Sequence, residues 1–278
     1  MKLIFVADFF ADQVQGGGEL NDDEFIKILQ KQDNFVKKLN SNLATCEFFE
    51  ENKDCKFVIS NFIGLSEDCK LSLKNKDYVI YEHDHKYLKN RNPGIFQDLL
   101  APKEMLINLD FYQNAKAVFC QSKFHLEIIK KNTGLENLEN LSGNLWSDEI
   151  LEHIRKISKL DKVPEFGIMD SKIPHKNTIE AIRYCEAKKI SYSLIKENNY
   201  GQFLTDLGTK SGLVFLPKTP ETLSRIVVES RMMGLSVKTN KLVGAIGEEW
   251  FKLKGEELID FMKIRKLQIV DKIMDYLK

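Results

Sequence analysis

The chain has 278 residues, 43% hydrophobic and 10% aromatic, which is enough apolar material for buried cores and too much for a disordered chain. Its 41 Lys and Arg balance 41 Asp and Glu at a pI of about 7.0, which excludes a strongly basic nucleic-acid binder. With 15 Gly and 6 Pro it is neither collagen-like nor linker-rich, and at roughly 100 to 200 residues per domain the length predicts two domains.

Lys2 to Val6 opens the chain with a continuous apolar run, the pattern of a strand buried on both faces, as in parallel sheets. The start MKLIFVADFF is too short and too soon acidic for a signal peptide. No apolar run approaches the roughly 18 residues of a membrane span, so a cytoplasmic protein without a transmembrane segment is expected. Cys46, Cys55, Cys69, Cys120 and Cys185 are odd in number and never form CxxC, which predicts free thiols rather than disulfides or a thiolate zinc site.

Gly16, Gly17 and Gly18 follow the first strand, and three glycines let a backbone approach a ligand without side-chain obstruction. They form neither GxGxxG nor the GKS or GKT of a P-loop, so hydride transfer and NTP hydrolysis lose support. Asp22 to Leu39 reads as one helix, with Phe25, Ile28, Leu29, Phe35, Val36 and Leu39 near a 3.6 period and acidic residues in its first turn. Phe57 to Ile59 and Tyr78 to Tyr81 are the next short strands.

EHDH at Glu82 to His85 ends the latter strand, where a functional loop belongs. His83, Asp84 and His85 could ligate a divalent metal, although the cluster lacks a further ligand set. Glu82 and Asp84 also mimic the metal-holding acidic pair of GT-A transferases. Lys86, Lys89 and Arg91 read as a solvated basic loop, with an anionic acceptor or a membrane surface as the alternative use.

Ala115 to Cys120 is a strand and Lys123 to Lys131 a helix. His125 and His153 read as surface residues and His175 as a cap of its loop. Trp146 to Val163 is charged and ends at Pro164, which places the boundary near residue 160: a first domain 1–160, a second 161–254, and a closing helix 255–278. Strands at Phe166 to Met169, Tyr192 to Ile195 and Leu213 to Leu216 alternate with helices at Asn177 to Ala187 and Glu221 to Met233, the signature of βαβ units. Gly255 to Lys278 is a long amphipathic helix expected to close the core; its mixed charges argue against membrane-surface binding.

TPETLSRIVVE at Thr219 to Glu229 follows a predicted strand. Thr219 suits an N-cap and Pro220 a first helical position, and such a terminus beyond a parallel strand is a natural phosphate cradle. On one helix Glu221 and Glu229, eight positions apart, would lie roughly 12 Å apart along the axis, too far for a hydrolase pair needing about 5 to 9.5 Å. Two such carboxylates suit opposite ends of an elongated ligand such as a nucleotide-sugar.

Glu221, seven residues, Glu229, then SRMMG and SVKTN, resembles the donor motif of glycosyltransferase family 4. The similarity extends through FGIMDSKIPHKN at Phe166 to Asn177, AVFCQS at Ala117 to Ser122 and GGGE at Gly16 to Glu19. It implies the GT-B fold, two Rossmann-like α/β domains with parallel sheets facing across a cleft, the first for the acceptor and the second for the donor. It further implies retaining transfer from a nucleotide-diphosphate sugar to a hydroxyl of a glycan, lipid or small molecule, by a front-face mechanism without a protein nucleophile or metal. A UDP-sugar is expected as co-substrate, with a GDP-sugar second, and no other cofactor.

By the same resemblance Glu221 contacts the transferred sugar, Glu229 holds the ribose, amides of Thr222, Leu223 and Ser224 meet the diphosphate, and Lys176 neutralises it. The family's second phosphate-binding cation, an Arg, is replaced here by Ser171 and Lys172; Lys172 and Arg225 are the candidate substitutes. Gly16 to Gly18 match the glycine loop facing the donor phosphates. His83 and Asp84 fall on the acceptor side, where the family often has a His that contacts the sugar. Alternatives are a viral-type DNA base glucosyltransferase, disfavoured by zero net charge, a non-catalytic nucleotide-sugar-binding protein, and a phosphorylase-like enzyme, for which the chain is too short.

Overall fold

The computed structural model describes residues 1–196 and 199–278. They form two compact α/β units, Met1–Leu145 with Arg265–Lys278, and Trp146–Ile264.

The first unit carries a six-stranded parallel sheet ordered β2-β1-β3-β4-β5-β6. Its strands are β1 (Lys2–Ala7), β2 (Phe35–Asn40), β3 (Lys56–Ile59), β4 (Tyr78–Tyr81), β5 (Val118–Cys120) and β6 (Leu138–Asn140). Period-two alternation explains the unbroken apolar runs. Ile4, Val6, Phe57, Ile59, Tyr78 and Ile80 enter one core, while Leu3, Phe5, Ala7, Val58, Val79 and Tyr81 enter the other. Both faces are therefore dry. Helices α1 (Gly17–Lys31), α2 (Cys46–Glu51), α3 (Glu67–Leu73), α4 (Leu109–Asn114) and α5 (Lys123–Thr133) fill the connections. The Ser66 and Ser122 hydroxyls cap α3 and α5 by accepting from Cys69 N and His125 N.

The expected helix Asp22 to Leu39 is two elements. Helix α1 stops at Lys31, Asp33 turns the chain at φ 58, and Phe35–Asn40 pairs in parallel register with Lys2–Ala7 as β2. Phe35 continued the 3.6 spacing by coincidence, and as part of an edge strand it is 66% exposed.

The second unit holds a four-stranded parallel sheet ordered β10-β9-β7-β8. Helix α6 (Asp148–Ser158) precedes β7 (Val163–Asp170), α7 (Thr178–Lys188), β8 (Tyr192–Lys196), α8 (Tyr200–Gly208), β9 (Lys210–Phe215), α9 (Arg225–Met232), β10 (Ser236–Thr239) and α10 (Glu256–Asp275). Sequence pattern puts the division near residue 160, whereas the compact units part between Leu145 and Trp146. The charged stretch there is α6, which buries Leu151, Ile154 and Ile157 in the second core behind a polar outer face. Among the described residues no helix is long and apolar enough to cross a membrane, and all five cysteines are free thiols.

Candidate functional site

In the second unit, β7 and β9 are hydrogen-bonded neighbours, so the loops leaving their carboxyl ends meet. Lys218 N donates to His175 O at 2.9 Å, and Asn177, at φ 63, donates from Nδ2 to Leu216 O at 2.8 Å. That bracing brings Lys176 Nζ to 2.8 Å from Glu221 Oε1 and 5.7 Å from the centre of the Phe215 ring. Burial, then the Lys176 charge, holds the His175 imidazole below its ordinary value.

Helix α9 does not begin at Pro220. Ser224 takes φ 75, which breaks any helical path through it, and the helix starts at Arg225. The preceding loop pairs with 242–245: Glu221 N donates to Leu242 O at 2.8 Å, Gly244 N to Glu221 O at 2.9 Å and Ala245 N to Leu223 O at 3.1 Å. Glu221 therefore projects from a clamped extended loop, and the helical-rise argument for its distance from Glu229 does not apply.

Glu229, on α9, is only 2% exposed. Its Oε1 accepts from Trp146 Nε1 at 2.8 Å and Tyr200 OH at 2.5 Å, with Arg225 Nε at 3.4 Å. The Arg225 guanidinium lies 4.6 Å over the Trp146 ring. Burial, then Glu229, pushes the Tyr200 phenol up. Leu223 and Ser224 are buried beneath this corner, while Lys172 is exposed on the loop after β7.

In the first unit the three glycines open α1, with Gly16 as N-cap and Gly17 the first helical residue. A Cβ on Gly18 would stand 3.4 Å from His83 Cγ, an ordinary van der Waals contact, so this turn of α1 packs directly beside the imidazole. One turn on, Asp22 Oδ1 lies 2.7 Å from His83 Nε2, while Ser60 donates to Oδ2 and Gln121 Nε2 meets His83 Nδ1. Asp22 and Gln121 are buried, so the ring is gripped at both nitrogens.

Asp84, next in sequence, belongs to another network. Buried Glu82 accepts from Lys86, Tyr112 OH and, at 2.9 Å, Asp84 N. Lys86 Nζ is also 2.7 Å from Asp84 Oδ1, and Arg91 lies 3.2 Å from Oδ2. Burial raises Glu82; it opposes ionisation of Asp84 as well, but Lys86 outweighs it there and leaves that carboxyl below its ordinary value. Lys86 is thus buried and ion-paired rather than solvated.

His125 is likewise fully buried, not a surface residue; its ring meets His85 edge-on at 5.2 Å and Nε2 lies 2.8 Å from Asp84 O. His153 sits partly buried against Gly201 O. Among the described residues no group of three or more His, Cys, Asp or Glu is placed to hold a metal ion.

The structure therefore joins Lys176 with Glu221, Arg225 with Glu229, and Gly18 with His83, and it separates His83 from Asp84. Sequence reasoning missed Asp22, Gln121, Trp146 and Tyr200. Only Asp22 left a signal, lying four residues after Gly18 on the same helix face.

No family model and no curated protein matches the chain. Solved structures do. HepE of Anabaena, with UDP and glucose, aligns at a TM-score of 0.56 and 13% identity over 98% of this chain and 90% of that one. The starch synthase IV catalytic domain of Arabidopsis thaliana, bound to ADP and acarbose, gives 0.56 at 9% identity over 98% and 95%. An α-glucosyltransferase in complex with UDP and a mismatched 13-mer DNA gives 0.53 at 10% over 99% and 91%. At such identities the likeness shows the fold alone: two parallel α/β sheets in the GT-B class.

Proposed function

We propose that this protein is a retaining glycosyltransferase that moves a sugar from a nucleotide-diphosphate sugar to a hydroxyl acceptor. The observation that carries the reading is the Lys176–Glu221 pair, braced where β7 and β9 end, the edge at which open α/β sheets take ligands. The fold adds support, because HepE and the DNA-bound glucosyltransferase were solved with UDP. A UDP-sugar is the favoured donor, with a GDP-sugar second.

In this reading the second unit binds the donor. Lys176 neutralises charge building on the departing diphosphate, helped by amides of Thr222, Leu223 and Ser224, with Lys172 and Arg225 as further cations. Glu221 accepts from hydroxyls of the transferred sugar. Glu229 meets the ribose through Oε2, the oxygen that carries none of its contacts to Trp146, Tyr200 and Arg225. The first unit supplies His83 and Asp84 on the acceptor side and, at Gly16, Gly17 and Gly18, a glycine helix terminus offered to phosphate.

The acceptor oxygen bonds to the anomeric carbon on the face from which the diphosphate leaves. Its proton passes to the leaving phosphate oxygen, and no protein nucleophile or metal takes part. Five free thiols favour a reducing, cytoplasmic setting.

A DNA acceptor is the second reading, favoured by the DNA-bound neighbour. It is opposed by the charge of the first unit, 22 Lys and Arg against 24 Asp and Glu in 1–145 and 265–278. Incubation with UDP-glucose or GDP-mannose together with a panel of hydroxyl acceptors (glycans, lipids and small molecules), followed by NMR, tests the reading: acceptor-dependent release of nucleoside diphosphate with an α-linked product is expected. Binding without release would reduce the protein to a nucleotide-sugar binder.

A further inference from the structure

Beyond the carboxyl ends of β1 to β4, two adjoining cavities of the first unit share Ile63 as a common wall. One, of about 420 Å³, is lined by Phe62, Lys70, Lys86, Lys89 and Arg91, with Glu67 the lone carboxylate. The other, of about 510 Å³, is bounded by Phe9, Val14, Leu43 and Ile63. Four large apolar side chains 44 to 67% exposed on one groove leave apolar area for a ligand to take from water.

The groove is preformed. Asp8 accepts from Ile63 N at 3.0 Å and Gly64 N at 2.9 Å, while Asn40 Nδ2 donates to Asp8 O at 2.9 Å. A Cβ on Gly64 would stand 3.0 Å from Asn42 N, so only glycine lets the two loops close together. The basic end is equally fixed, since Asn108 holds Lys70 at 2.8 Å and Asp84 holds Lys86 and Arg91.

Charge decides what fits. Lys70 spends two of its three donors on Glu67 and Asn108. Exposed Lys89 has no carboxylate partner among the described residues. With Lys70 paired to Glu67, and Lys86 and Arg91 to Glu82 and Asp84, Lys89 is the one uncompensated cation among the described lining residues, at one end of a groove whose other end is apolar, in a unit with no net positive charge. A polyanion needs several neutralised phosphates in a row; one anionic group joined to an apolar body needs only this.

We propose that this groove is an acceptor subsite for an amphiphile, its anionic head among Lys70, Lys89 and Arg91 and its apolar body along Ile63, Leu43, Val14 and Phe9. The acceptor role rests on the glycosyltransferase reading, whereas the binding chemistry does not. The head group could belong to a soluble ester or to a lipid in a bilayer.

Titration of the full chain with dodecyl phosphate below its micellar concentration, by calorimetry, tests the groove. Lys89→Glu should raise Kd at least tenfold, Ile63→Ser about fivefold, and Lys89→Arg should restore binding. Inorganic phosphate should bind at least a hundredfold more weakly than the ester. Sedimentation with phosphatidylglycerol rather than phosphatidylcholine vesicles identifies a bilayer source; binding of dodecyl phosphate alone identifies a soluble one, and either supports the proposal. Lys89 and Ile63 are exposed positions, so unchanged thermal unfolding and unchanged UDP affinity are expected of Lys89→Glu, Lys89→Arg and Ile63→Ser. Equal dodecyl phosphate affinity in wild type and both variants, or no binding of either anionic amphiphile, would overturn it. Amphiphile binding without UDP binding would instead sink the donor reading and leave the groove standing.

Discussion

Lys176 and Glu221, 45 positions apart in sequence, meet at 2.8 Å because β7 and β9 pair side by side and the turn at Asn177 is tied to Leu216. Neither side chain is exposed beyond 24%, so the pair is poised at the surface of the sheet edge without being free of it.

Removing the cation should act on the ligand more than on the fold. Lys176→Ala is expected to raise Kd for UDP about tenfold, roughly 1.4 kcal/mol, with a stability change under about 1 kcal/mol for a partly exposed pair. Glu221→Gln should lower kcat with little change in UDP affinity, because the partner proposed for it is the sugar. Calorimetry with UDP and initial-rate measurements separate the two; unchanged UDP affinity in Lys176→Ala would refute the phosphate assignment.

Glu229 should matter to stability as well as to binding. Glu229→Ala leaves Trp146 Nε1, Tyr200 OH and the Arg225 guanidinium around a vacated buried acceptor, a loss of about 3 kcal/mol. Glu229→Gln keeps the acceptor oxygen and should cost about 1 kcal/mol. Urea midpoints measure both, and equal midpoints for wild type and Glu229→Ala would show that the carboxylate is not the hub described.

Asp22 is expected to act through His83. Asp22→Asn removes the charge beside Nε2 and should depress kcat about tenfold while leaving UDP affinity intact. Asp22→Ala should in addition lower stability by about 1 to 3 kcal/mol by removing one partner of His83 and the acceptor of the Ser60 hydroxyl. A kcat unchanged in Asp22→Asn would remove His83 from the acceptor side.

Acid should loosen the first unit. Burial lowers the His85 pKa to about 4 and also depresses His125, with His85 contributing to the latter. Unfolded, both titrate near 6.5. The unfolded chain therefore binds more protons once pH falls through that value, so their contribution is whole above about pH 6.5 and is lost on descent to about 4, on the order of 3 kcal/mol for His85. Asp84, held low by Lys86 against its burial, adds to the loss in stronger acid, whereas Glu82, raised by burial, opposes it. A urea midpoint that stays flat from pH 7.5 to 5 would contradict this balance.

The fold was legible where one local pattern determined one state. Strands buried on both faces leave continuous apolar runs, and β1, β3, β4 and β9 were readable from these. Reading failed where tertiary pairing overrode good local signals. Thr219 and Pro220 suit a helix start, but pairing of Glu221 with 242–244 and the φ of Ser224 delay α9 to Arg225. The charges from Trp146 to Val163 put the division near residue 160, because the buried Leu151, Ile154 and Ile157 of α6 occupy one narrow stripe.

Candidate chemistry followed the same divide. Lys176, Glu221 and His83 stand out by motif, whereas their settings depend on partners far along the chain. Asp22 reaches His83 across 61 positions and Trp146 reaches Glu229 across 83, and no periodicity records such meetings. Lys86 and His125 looked solvent-facing because a single charged or aromatic residue carries no local mark of its burial.

Helix α10 contributes residues to both units. Leu258, Ile259 and Met262 fill the core of one, while Ile269, Val270, Ile273 and Met274 fill that of the other. A gene split after Leu145 would therefore deprive its amino-terminal product of the helix that seals one face of its sheet. Coexpressing that product with a fragment carrying 265–278 should rescue it, making the last helix a portable plug and the junction at 264–265 a poor place to cut.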